Sequence, residues 1–73
     1  GIASAYFRQA RVYASAPAFC SDPVQAYALA GVAYDMGLER ARSLMRELNF
    51  DLSDDERAKA ESIRADILQE LTI

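Results

Sequence analysis

Hydrophobic and polar positions along the 73-residue chain fall into four segments with helical spacing, and nothing alternates with period two for long enough to make a strand. In the first segment, about 3–15, Ser4, Arg8, Arg11 and Ser15 stand at i, i+4, i+7 and i+11 and mark one narrow polar stripe. The remainder is largely apolar. Ile2, Tyr6, Phe7, Ala10, Val12, Tyr13 and Ala14 cover an arc wider than a single neighbouring helix requires. Pro17 is expected to end this helix, because the residue before a proline is pushed out of the α region.

Asp22-Pro23-Val24-Gln25 combines an Asp N-cap, a proline at the first helical position and a glutamine three residues after the cap, which together start a helix. This second helix is expected over 23–36. Gln25 and Asp35 are its only strongly polar residues, so it should be central and covered on most sides. Its small residues, Ala26, Ala28, Ala30, Gly31 and Ala33, let neighbours approach closely. Gly37 suits the left-handed position that closes a helix.

A third helix is expected over 38–49. Leu38, Ala41, Leu44, Met45 and Leu48 form its inner face, with Glu39, Arg40, Arg42, Ser43, Arg46 and Glu47 opposite. Residues 49–52 connect it to Ser53-Asp54-Asp55-Glu56, a capping box with extra acids in the positive field of the first turn. The fourth helix, 54–71, should bury Ala60, Ile63, Ile67, Leu68 and Leu71 and pair Asp55 with Lys59 at i, i+4. The chain is thus read as one all-α domain spanning 1–73. Short connectors imply antiparallel neighbours, in a compact bundle of four short helices or two stacked helical hairpins.

Composition narrows the chemistry. Histidine is absent and Cys20 is the only cysteine, which removes an internal disulfide, the usual Cys/His zinc sites and every His-dependent triad. Cys20, beside Asp22, reads as a small loop residue. Asp51, Asp54, Asp55 and Glu56 lack the spacing and central glycine of a calcium loop, and the cap already explains them. No catalytic residue, metal site or cofactor is expected, and the chain is not expected to be an enzyme.

The longest apolar run, residues 24–34, is too short for a membrane span and contains Gln25, so the protein is expected to be soluble. A first residue of Gly1 instead of Met fits a processed product or a docking domain cut from a longer protein. Apolar residues make up 52% of the chain, so a core can form, although one this small has only about 3–5 kcal/mol of net stability. Net charge is −3, distributed as +2 over 1–21, −1 over 22–50 and −4 over 51–73. A nucleic-acid binder usually presents a basic stripe, and this gradient runs the other way over most of the chain. Most of the aromatics read as core and hairpin packing.

Two partial resemblances concern the second and third helices. Tyr27, Ala30, Gly31, Tyr34 and Gly37, followed by Ala41, Met45 and Leu48, resemble a tetratricopeptide helical hairpin over residues 27–48. The interval from Gly31 to Ala41 is two residues shorter than that repeat requires, and no second copy follows. The resemblance implies a close pair of helices of the kind that grips peptides. Val32-Ala33, Met36-Gly37-Leu38 and an arginine-bearing helix with Arg40, Arg42 and Arg46 resemble a helix-turn-helix over about 25–48. Ser43 and Arg46, however, occupy places where that motif buries apolar residues.

The leading expectation is a helical protein-interaction or assembly module, binding another protein chain or self-associating. The surplus apolar arc of the first helix is the expected interface, with Tyr6, Phe7 and Tyr13 as anchors and Arg8 and Arg11 at the rim. A DNA-binding or transcription-regulatory domain is the alternative.

Overall fold

The structure is a computed structural model that describes residues 2–15 and 22–71. Its described residues form four helices: α1 (Ile2–Ser15), α2 (Pro23–Asp35), α3 (Ala41–Asn49) and α4 (Asp54–Leu71). Among them there is no strand, as the spacing predicts. Pro17, Phe19 and Cys20, and the expectations attached to them, lie outside the described residues.

Helix α2 is the hub. Every residue from 26 to 33 is buried, and α1, α3 and α4 all pack against it, while α1 touches α3 only marginally. Its start is built as the sequence implies, with the Gln25 backbone N–H donating to the Asp22 carboxylate at 3.1 Å. The Asp22 N–H donates to the Tyr13 carbonyl at 3.4 Å, which ties the start of α2 to the end of α1.

Two apolar clusters surround this hub. Ala26, Tyr27, Ala28, Leu48, Leu52 and Ala60 form one, joining α2 to α3, α4 and their connector. Ala10, Leu29 and Ala30 form the other, flanked by Tyr6 and Ile67. Leu44 and Met45 border both. Seven of the buried core residues are alanines with no exposed surface, so the helices meet nearly backbone to backbone, where there is little room for larger side chains.

Helix α3 begins later than expected, at Ala41 instead of residue 38. The cause is how α2 ends. Gly37 takes φ +102°, its N–H donates to the Tyr34 carbonyl, and the Leu38 N–H donates to the Ala33 carbonyl. This pair of bonds is a Schellman motif, which places Leu38 in the closure of α2. Residues 39 and 40 then turn the chain into α3, which starts without a side-chain cap.

Ser53 and Glu56 cap α4 reciprocally. The Glu56 N–H donates to Ser53 Oγ at 3.2 Å, and the Ser53 N–H donates to Glu56 Oε1 at 3.0 Å. Ser53→Ala is therefore expected to lower stability by about 0.5–2 kcal/mol, read as a fall in the urea midpoint; an unchanged midpoint would show that the cap contributes nothing. The hydrogen bonds from Ser53 also hold the Glu56 carboxyl below its usual range. A lowered carboxyl pKa stabilises the fold above the unfolded value and loses that contribution as pH falls through the folded one. A side-chain NMR titration of Glu56 should accordingly show a depressed midpoint that Ser53→Ala returns towards normal.

Along α4, Ala60 is buried and Ile63, Ile67 and Leu68 are half-buried, but Leu71 is 42% exposed. At 18 residues α4 is about 27 Å long, against about 20 Å for the 13 residues of α2, and the seam runs out before Leu71. Asp55 and Lys59 form no ion pair. Arg57 instead bonds Asp54 and Arg64 bonds Glu61, both at i, i+3, while Lys59 lies near enough to Glu56 to favour its ionised form. Such exposed pairs differ by only tenths of a kcal/mol, so spacing alone selects none of them.

Phe50 is 83% exposed, whereas the aromatics as a group read as packing residues. The turn after α3, with the Asp51 N–H donating to Leu48, sends Leu52 inward and leaves Phe50 outside. Arg64 reaches from α4 across α2. Its Nε and one terminal nitrogen donate to the two Asp35 oxygens at 2.7 Å each, and these bonds raise its pKa further. Its side chain lies over Gly31, where an added Cβ would come 2.7 Å from Arg64 Cδ.

Candidate interaction surface

Helix α1 buries little of its apolar arc. Ala10 is its only fully buried residue, and Ala10 meets Leu29 and Ala30 of α2. Ala3, Tyr6, Phe7 and Ala14 are half-buried. On the outside remain Ile2 at 60%, Val12 at 65% and Tyr13 at 39% exposure. A β-branched residue in helix has lower intrinsic propensity than alanine. At Val12 that local cost brings little burial within this chain.

Six residues of α1, Ser4, Phe7, Arg8, Arg11, Val12 and Ser15, line an open groove of about 470 Å³ whose other wall is Arg40. They recur at three- and four-residue intervals, so helical geometry alone aligns them on one face. The Arg40 guanidinium carbon stands 5.3 Å from the centre of the Phe7 ring, a cation–π contact that joins the start of α3 to α1. A second depression beside the groove is lined by Arg8, Gln9, Val12 and Tyr13. Arg8 and Val12 belong to both, so the surface is continuous.

The electrostatics are one-sided. Helix α1 contains no acidic residue, and none lines the groove. Among the described residues the ion pairs are Arg57–Asp54, Arg64–Asp35 and Arg64–Glu61; none engages Arg8, Arg11 or Arg40. A cationic strip with an apolar floor is therefore set into a protein of net charge −3.

The five residues expected at the interface divide between two faces. Phe7, Arg8 and Arg11 line the groove, and Tyr13 lies beside it. Tyr6 is half-buried and packs against the Ala10, Leu29 and Ala30 cluster, and it does not line the groove. Arg40 joins the surface although its sequence position groups it with the solvated side of α3. No local pattern could pair it with Phe7, since the contact depends on how α1 and α3 both lie against α2.

The other candidate chemistry is more limited. Among the described residues, no group of three or more His, Cys, Asp or Glu could hold a metal ion, and no helix is long and apolar enough to cross a membrane. Comparison with protein-family models, with curated proteins and with solved structures finds no match for this chain.

Proposed function

We propose that the protein is a helical interaction module that docks another protein chain on the outer face of α1. The observation that carries this reading is the exposure of Val12 and Tyr13 at and beside a groove whose arginines have no carboxylate partner among the described residues. Apolar surface rimmed by charge is the usual composition of a docking site, and aromatic and arginine side chains are its most frequent anchors. An open groove between two helices accepts the side chains of a peptide or helix more readily than it encloses a small molecule.

The test is photo-crosslinking from Val12 in the cells that carry the protein, with exposed Ala58 of α4 as the control position. Adducts to a defined protein chain, partner or second copy, should form from position 12 and be scarce from position 58. Equal yields at the two positions, or none at position 12, would overturn the reading.

A second reading, DNA contact through α3, has the exposure of Arg42 and Arg46 in its favour. The six acids of α4 against three bases weigh against it. DNA contact through α3 would be lost in Arg42→Glu/Arg46→Glu and kept in Val12→Asp, whereas docking on α1 would show the reverse.

A further inference from the structure

We infer that the occupant of the α1 groove is a short acidic segment of a partner protein, with carboxylates about one helical turn apart beside an aliphatic or aromatic side chain. This rests on the docking role proposed above and names its chemistry. The walls supply three guanidinium groups, from Arg8, Arg11 and Arg40, and the hydroxyls of Ser4 and Ser15. Arg8 and Arg11 are three residues apart on one helix, and carboxylates at i, i+3 or i+4 of a docked helix repeat at the same interval. Guanidinium groups bind carboxylates by paired N–H donors. Phe7 and Val12 form an apolar floor that a purely ionic ligand would leave unfilled. From Ser4 to Ser15 the strip is about 16 Å long, enough for roughly three turns of a bound helix.

Two other occupants fit less well. A second copy would offer the acids of α4, but the exposed residues between those acids are small or polar, with no large apolar side chain before Leu71, and exposed Phe50 lies in the turn before α4 and not on the helix that carries them, so a docked α4 would leave the floor empty. A nucleic acid is longer than so short a strip and would meet a chain of net charge −3 whose α4 carries six acids against three bases, so long-range repulsion would offset the contacts with the arginines.

The probe is a displayed library of random twelve-residue peptides selected on the whole protein, with the best binders synthesised and measured by fluorescence anisotropy. Selected peptides should be enriched in Asp and Glu together with a Leu, Phe or similar residue. Their affinity should fall roughly tenfold or more in Arg8→Glu/Arg11→Glu and should also fall in Val12→Asp. These positions are exposed, and circular dichroism should show both variants folded. Peptides that require Val12 but show no acidic preference, or that bind the arginine variant equally well, would overturn the acidic-partner inference and leave the docking role standing. A library giving no enrichment over a bare surface would overturn both. Tighter binding of a twelve-nucleotide oligo-dT than of any peptide, abolished in the arginine variant, would overturn the inference in favour of nucleic acid. A wild-type dimer that becomes monomeric in the arginine variant would overturn it in favour of a second copy.

Discussion

Tyr27→Ala is expected to cost about 3–5 kcal/mol of stability, which equals the whole margin of a domain this small. Tyr27 is only 9% exposed and belongs to the cluster in which α2 meets Leu48, Leu52 and Ala60. Its neighbours there include three alanines that cannot extend into the space a lost ring would leave, so the cavity term adds to the transfer term. Urea unfolding followed by far-ultraviolet circular dichroism should find the variant mostly unfolded, or nearly so, in buffer. A midpoint close to wild type would mean that the ring is not the centre of this cluster. Tyr27→Phe should lose far less, because it keeps the packing.

Enlarging Ala10 should be the next most damaging change. Ala10→Leu places extra carbons where α1 meets Leu29 and Ala30, and overpacking of this kind typically costs about 1–3 kcal/mol. Leucine and alanine have similar helix propensity, so the loss comes from the contact between helices. Ala10 is the only buried residue of α1, and α1 has neither an acid in its first turn nor a base in its last. At 14 residues it is marginal as an isolated helix. Hydrogen exchange should therefore show α1 amides losing protection while α2, α3 and α4 keep theirs, with the groove lost as well. Uniform protection across all four helices would show that the α1–α2 contact can absorb the added volume.

The parts of this fold that are legible in the sequence are those fixed within a few residues. The Asp22-Pro23 start and the Ser53–Glu56 box depend on contacts three residues apart, and both form as the pattern implies. The unburied arc of α1 could likewise be counted, because one polar stripe of four residues leaves too much apolar surface for one neighbour. The start of α3 was masked by a competing local motif, since Leu38 looks like the first residue of an amphipathic helix but completes the closure of α2. The split between Tyr6 and Tyr13 could not be read from spacing. Both lie on the apolar arc, and only the position of α2 decides which one is covered. Arg40 and Arg64 were beyond reach for a related reason: each acts on a different helix from its own.

The crossing of Arg64 over Gly31 ties two neighbouring positions of α2, 31 and 35, to the distant position 64 of α4 as one inherited unit. Glycine inside a helix is about 1 kcal/mol worse than alanine, and a part-exposed ion pair returns an amount of the same order. The arrangement therefore adds little to stability, but it specifies how α4 is rotated about its axis on α2, which a seam dominated by Ala60 and three half-buried aliphatics defines only loosely. In chains descended from the same ancestor, residues 31, 35 and 64 should change together: an alanine at 31 should accompany a shorter side chain at 64, and position 35 should then lose its need for an acid.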